Sequence, residues 1–493
     1  MSAARTVVLE LPFEGPSIAG YSPKPDPDAV FRIWIDCKHR ERSEVLRFPM
    51  TTIKQLKVLV SAFAYSPVQG TEFAIGWDHV RAIAVRHRVW VLARSNEKKE
   101  TEQYLQEHPD AARNIAVRYV PFTAIEFNFP FWELTFYRHY QKWQRDALEL
   151  ARELDAEVNF DLVQQVTATG FREPGYLWML GKPFVWGPLG GMQYFPVALL
   201  NAVPFRSRPF FLLKNASTFF AMRYGMRPRA AARKAAAILA GTSETAQRVG
   251  RIWGRDALVM NEVHSPEGFD PPSRRAPDQV FRIIWTGRFQ PRKALNIVLL
   301  ALEKLKDASF NWELICLGSG ELEPLWKKLA AECEIADRCR FLGNLPRAQA
   351  LKEMMSGHCF AQPSLYDATS TVVVEALALG LPVACLNHCG FRDVVEPDYG
   401  VRIPVGSLEQ IVRDFAAAFQ MLAENEDVRY SMATAAQAAS ARYTWKAKAV
   451  RLNELYERLF PNLEPAGDLL GKVTMDSPNS DSGNSQERTV SVV

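Results

Sequence analysis

This chain is poor in the features that most quickly betray a protein's class. Its seven cysteines, Cys37, Cys316, Cys333, Cys339, Cys359, Cys385 and Cys389, include no Cys-x-x-Cys pair. Several lie in apolar runs, which predicts reduced core residues of a cytosolic protein. No apolar stretch is long enough to cross a bilayer and no signal-peptide pattern opens the chain, so a cytoplasmic location is expected. Charge of one sign is also missing: 59 Lys and Arg face 55 Asp and Glu, a net charge of +4. With no RNA- or DNA-reading motif, no nucleic-acid partner is expected. Nor does any strand run into a full Gly-x-Gly-x-x-Gly element. Gly318-Ser319-Gly320 continues as Glu321-Leu322-Glu323, which disfavours a dinucleotide-dependent oxidoreductase. What is present is 493 residues at 48% hydrophobic content, enough for two domains with sizeable cores.

The most informative stretch is PSLYDATSTVVVEALALGLPVAC. Cys359 to Pro363 reads as a buried strand, and a helix is predicted from Val372 to Leu379, with N-cap hydroxyls at Thr369, Ser370 and Thr371 and a stop at Gly380 and Pro382. Asp367 then lies on the strand-end loop and Glu375 about one turn inside the helix. Both carboxylates can face a ligand whose phosphates sit on the helix N-terminus. Upstream, Arg282 to Thr286 reads as a parallel-sheet strand, followed by Gly287-Arg288-Phe289-Gln290-Pro291-Arg292-Lys293 and a helix from about Asn296 to Lys306. Arg288 and Lys293 therefore leave the carboxyl end of a strand, where ligands bind in open α/β sheets. Singly, each element is what a solvated helix face or an ordinary turn would carry. The argument rests on their combination and order.

In that order the elements resemble the retaining nucleotide-sugar glycosyltransferases of family 4. The matching segments are Gly287-Arg288 with Lys293, Leu317-Gly318-Ser319-Gly320, Phe341-Leu342-Gly343-Asn344, and Asp367 with Glu375 followed by Gly380-Leu381-Pro382-Val383. The resemblance implies an α/β fold of GT-B type, two Rossmann-like parallel-sheet domains facing a cleft, with a C-terminal helix returning to the first. It implies catalytic roles for Arg288, Lys293 and Asp367. Donor contacts are implied at Gly70, Gly287, Gly318, Asn344, Leu345, Thr369, Ser370, Thr371 and Glu375, with the ribose at Glu375 and the transferred sugar at Asp367. Acceptor or cleft contacts are implied at Gln164, Gln165 and Gly190. It further implies a nucleotide-diphosphate sugar as co-substrate, a saccharide or lipid-linked saccharide acceptor, and no cofactor or metal. Two departures stand out: Asp367 replaces the usual Glu, and glutamines occupy the place where many relatives have a sugar-touching histidine, so proton transfer there is not expected. A sugar-nucleotide epimerase of the same architecture and a non-catalytic sugar-nucleotide sensor are the rival readings.

Along the chain, residues 1–55 read as an irregular extension, 56–260 as the acceptor domain, 261–279 as a linker, 280–440 as the donor domain, 441–462 as the crossover helix and 463–493 as a tail too polar to fold. Asp26-Pro27-Asp28 mimics a metal-binding Asp-x-Asp but reads as loop, and Met50 is a candidate native start. His388 reads as an acceptor contact or a turn histidine. Residues 205–237 carry eight basic side chains and no acid, mixed with Phe210, Phe211, Phe219, Phe220 and Tyr224. An anionic membrane surface or lipid-diphosphate acceptor suits this stretch, and so does a solvated face over an apolar core stripe.

Overall fold

The computed structural model describes residues 54–70, 72–123, 132–168, 170–368 and 370–465. The extension with Asp26, Asp28 and Met50, residues Thr71 and Thr369, and the tail from 466 lie outside the described residues.

Two all-parallel sheets organise the chain. The first contains β1 (Lys57–Ser61), β2 (Arg88–Arg94), β3 (Ile115–Val120), β4 (Leu162–Gln165), β5 (Phe184–Leu189), β6 (Ala237–Ala240) and β7 (Leu258–Val259), in spatial order β3-β2-β1-β4-β5-β6-β7. The second contains β8 (Phe281–Thr286), β9 (Trp312–Leu317), β10 (Cys339–Phe341), β11 (Cys359–Gln362), β12 (Val383–Leu386) and β13 (Gly400–Ile403), in order β10-β9-β8-β11-β12-β13. Each sheet reverses direction once, between β1 and β4 and between β8 and β11. Inner strands such as β5, β11 and β12 are buried at every position. Helices cover both faces, so these strands carry unbroken apolar runs instead of alternation.

Core packing explains how the lobes are joined. The last helix, Trp445–Leu459, is capped by Thr444, whose hydroxyl accepts the Ala447 N–H at 3.2 Å. It packs Ala449, Leu452, Leu455 and Tyr456 against Val58, Trp77, Val80 and Ile83 of the first lobe. A reverse intrusion occurs as well. Phe195, Leu199, Val203 and Phe211 of the first lobe share a core with Trp285, Phe289 and Leu295 of the second.

Element ends differ from the sequence expectation where tight turns intervene. The helix expected to reach Lys306 spans Leu295–Glu303, because the Leu305 N–H bonds Leu302 O at 2.9 Å and tightens the chain. The helix expected from Val372 spans Thr371–Ala378. Its end is a Schellman motif: the Leu381 N–H bonds Ala376 O at 2.9 Å, the Gly380 N–H bonds Leu377 O at 3.0 Å, and Gly380 has φ +67°.

Candidate active site

The direction reversal in the second sheet decides which side chains meet. β8 and β11 are neighbours, in register at Ile283 with Cys359 and Ile284 with Phe360, while the chain leaves them toward opposite sides of the sheet. The loops after both strands therefore open side by side at the carboxyl edge. The Leu365 N–H bonds Arg292 O at 2.8 Å and stitches them together. On this base the buried Lys293 ammonium donates to Asp367 Oδ2, and Arg292 NH1 lies 3.3 Å from the same oxygen. Burial holds Lys293 below the usual lysine range, opposed by the Asp367 charge and reinforced by Arg292. For Asp367, burial pushes upward, but Lys293 and Arg292 together outweigh it and hold the carboxyl below its usual value.

Backbone strain gathers around this pair. Ala294, next to Lys293, has φ +47°, and Cys389, whose Sγ accepts the Asp367 N–H, has φ +54°. Each follows the carboxyl end of a strand, and L residues in this region cost roughly 1–2 kcal/mol each. Glycines permit close approach elsewhere in the site. A methyl on Gly318, which has φ +121°, would sit 2.1 Å from Gly287 O, and one on Gly320 would meet the Phe289 backbone at 2.8 Å. The loops after β8, β9 and β10 are laced by Gly287 N–H to Leu317 O at 2.9 Å and Gly318 N–H to Gly343 O at 2.8 Å.

The remaining donor-side residues divide. Glu375 is buried, and its Oε1 accepts both Nε and a terminal nitrogen of Arg347, at 3.2 and 2.9 Å. Arg347 was not anticipated, although it directly follows the helix-starting Pro346. Ser370 is the N-cap of the Thr371–Ala378 helix in extended conformation, but its hydroxyl makes no capping bond, which corrects the expected N-cap hydroxyl. Arg288 and Asn344 are exposed, and Leu345 is half-buried against the cluster containing Ile315 and Val373.

On the first lobe, Gly190 faces the donor loop: a methyl there would stand 4.0 Å from the Ala368 methyl. A methyl on Gly70 would meet nothing within 4 Å. Gln164 and Gln165, expected as acceptor or cleft contacts, lie inside the first lobe. Gln164 is fully buried, with Nε2 at 2.9 Å from His79 Nε2 and its carbonyl accepting the Tyr456 hydroxyl. Gln165 is buried toward Tyr140 and the Glu173 carbonyl, each at 3.4 Å. Both are committed to the first lobe because the sheet is covered on both faces. Another contact was invisible in the sequence: Ser243 donates its N–H and its hydroxyl to Asp393, at 2.6 and 2.5 Å, across a separation of 150 residues. Among the described residues no group of three or more His, Cys, Asp or Glu side chains is arranged to hold a metal.

Residues 268–438, which contain the Lys293, Asp367 and Glu375 loops, match the sequence profile of the family described as Glycosyl transferases group 1. The second lobe is therefore similar to group 1 glycosyl transferase domains. The chain is 26% identical over 219 residues to a phosphatidyl-myo-inositol mannosyltransferase of Mycobacterium leprae, covering 42% of this chain and 57% of that protein. It is 30% identical over 244 residues to a D-inositol 3-phosphate glycosyltransferase of Corynebacterium jeikeium, covering 44% and 57%. The match thus spans little more than half the length of these curated relatives. Over both lobes, HepE of Anabaena, solved with UDP and glucose, superposes with a TM-score of 0.54 at 16% identity, covering 82% of this chain and 100% of that one. The two-lobed GT-B architecture is therefore shared well beyond the matched domain.

Proposed function

We propose that this chain is a retaining glycosyltransferase that moves a sugar from a nucleotide-diphosphate sugar to a saccharide or lipid-linked saccharide acceptor, in cell-surface polysaccharide biosynthesis. The observation that carries the reading is the cluster of buried Lys293 with half-buried Arg292 and Asp367 at the direction reversal of the second sheet. Breaking a sugar–phosphate bond leaves negative charge on the nucleotide diphosphate, and cations fixed in place beforehand stabilise it without reorganisation. Lys293 and Arg292 supply that charge, with Arg288 on the same loop and the first-turn amides of the Thr371–Ala378 helix beside it. In this reading they make a metal unnecessary. Asp367 holds the transferred sugar, and Glu375 takes the ribose hydroxyls once Arg347 yields. With no base beside the bond that breaks, the departing phosphate accepts the acceptor's proton on its own face, and configuration is retained.

The test is a thermal-shift screen with uridine, guanosine and adenosine diphosphate sugars, followed by an assay of nucleotide release with and without acceptor. One nucleotide class should raise the melting temperature, because a ligand that binds only the folded state stabilises it. If none does, the reading fails. Isomerised donor in the absence of acceptor would instead make the chain an epimerase, and binding without nucleotide release would make it a sensor.

The reading extends to an anionic membrane surface as the place of work. In the helix Arg208–Tyr224 only Phe211, Thr218 and Met222 are buried. Phe205, Leu213, Tyr224 and Met226 are 78, 70, 65 and 84% exposed, among Arg206, Arg208, Lys214, Arg223 and Arg229. A solvated face over a core stripe would hide those apolar groups. Exposed rings between cations suit a lipid headgroup boundary. Among the described residues no helix is long and apolar enough to cross a membrane. Flotation with phosphatidylglycerol vesicles should recover the chain, and Phe219→Ser/Phe220→Ser should reduce recovery severalfold. Equal recovery with neutral vesicles at low salt would remove this part of the reading.

A further inference from the structure

A cavity of about 280 Å³ lies between the lobes, and the mechanism above does not use it. One wall is Glu244, Arg248 and Arg251, from the helical stretch after β6. The other is His388, Cys389 and Arg392, from the turn after β12. Three guanidinium groups thus face one carboxylate. Glu244 is already taken by Arg248 at 2.5 Å, and Arg248 is fixed over the Tyr194 ring at 4.1 Å. Among the described residues neither Arg251 nor Arg392 has a carboxylate within ion-pair reach, and Arg392 donates only to the Ser243 hydroxyl, at 3.2 Å. The excess charge is local, since the whole chain carries only +4. His388 adds a polar group without a complement: it bonds the Tyr194 backbone, while its Nε2 is buried in the wall with no partner. Such a group is costly unless a ligand or water completes it.

The cavity also has a definite relation to the chemistry. Cys389 lines it, and Cys389 Sγ accepts the Asp367 N–H at 3.5 Å. The Gly390 N–H bonds Ala368 O at 2.8 Å. The loop that holds Asp367 is therefore the loop against which the cavity is built. Both walls are held together by the paired bonds from Ser243 to Asp393. Its volume is at the low end of ligand pockets, which begin near about 300 Å³. It fits a charged end group, not a whole oligosaccharide.

We propose that this cavity is an acceptor subsite that receives an oxyanion carried by the acceptor saccharide, a phosphate or a carboxylate. The inference rests on the glycosyltransferase reading and deepens it: the acceptor is an anionic sugar. Arg251 and Arg392, with Arg248 behind them, grip the oxyanion through charge-assisted hydrogen bonds, and His388 Nε2 takes a neighbouring hydroxyl.

The test uses the full chain saturated with whichever nucleoside diphosphate stabilises it, so that the donor cations are occupied. Glucose 6-phosphate, glucuronate and neutral glucose are then titrated calorimetrically. At least one anionic sugar should bind about tenfold or more tightly than glucose. Preference for glucose 6-phosphate identifies a phosphate-bearing acceptor, and preference for glucuronate a uronic acid. The double variant Arg251→Gln/Arg392→Gln should lose about tenfold of that preference while nucleotide affinity stays within about twofold. Should the double variant fail to fold, Arg251→Gln alone must lose at least about threefold. Equal or absent binding of the three sugars, or a preference that survives substitution, overturns the proposal. Failure of the glycosyltransferase reading looks different: no nucleoside diphosphate binds, and the same titrations on the ligand-free chain still decide the cavity.

Discussion

Replacing Lys293 by methionine removes one charge and keeps the packed stem, so its effect isolates the ammonium. In the folded chain Asp367 would retain a single ion-pair partner, Arg292, whose side chain is 32% exposed and 3.3 Å away, besides the Ala368 backbone. Breaking a buried ion pair by removing one partner typically costs about 3–5 kcal/mol. The surviving guanidinium and the partial exposure of Asp367 reduce this to roughly 2–3 kcal/mol. Turnover should fall further than stability. Withdrawal of a fixed charge from a developing phosphate anion costs about two orders of magnitude or more in kcat. Two assays are needed together: nucleotide release at saturating donor, and thermal unfolding with and without nucleotide. The expected result is a moderate loss of stability, a large loss of kcat and a much smaller nucleotide-induced shift. If Lys293→Met keeps near wild-type turnover, the diphosphate does not sit on this pair, and the charge argument for the whole site is wrong.

Further outcomes follow from geometry described above. Gly318→Ala should abolish donor binding or folding, since the new methyl would lie 2.1 Å from Gly287 O. A well-folded variant with normal nucleotide affinity would show that these loops separate freely. Asp393→Ala should lower stability by about 1–3 kcal/mol through two lost charge-assisted bonds, and Ser243→Ala by less, because the backbone N–H remains. Equal losses from the two substitutions would contradict that ordering. Burial, with Lys448 nearby, pushes His79 down to about 3 from 6.5. Between those values the unfolded chain binds a proton that the folded chain refuses, so stability rises with pH across that window and is lost on acidification. His79→Gln should flatten the dependence of melting temperature on pH between 6.5 and 4, and an unchanged slope would refute the assignment.

The parts legible in the sequence were those written locally. Continuous apolar runs marked β8 and β11, and the short spacings from Gly287 to Lys293 and from Asp367 to Glu375 placed each charge at a strand end or helix start. Register and sheet order then brought Lys293 to Asp367, as the direction reversal requires. Contacts that depend on which face of a covered strand a residue occupies were not legible. Gln164 and Gln165 are adjacent on β4, and both read as polar groups at a cleft. Only the packed structure shows one turned toward Tyr456 and the other toward Tyr140. Long-range partners such as Ser243 with Asp393 and Arg347 with Glu375 leave no pattern in a single chain. The aromatic residues of the Arg208–Tyr224 helix read equally well as core or surface, and burial alone separates Phe211 from Phe219 and Phe220.

The closing helix has a consequence for biogenesis. Tyr456 and Leu452 fill the core that Val58 and Val80 begin, so the second lobe is in effect an insertion within the first. On the ribosome, the earlier-made half waits with an open hydrophobic seam until the helix Trp445–Leu459 has emerged, while the lobe synthesised later can complete its own sheet first. A chain released before Trp445 would expose that seam permanently, inviting aggregation instead of yielding a folded half.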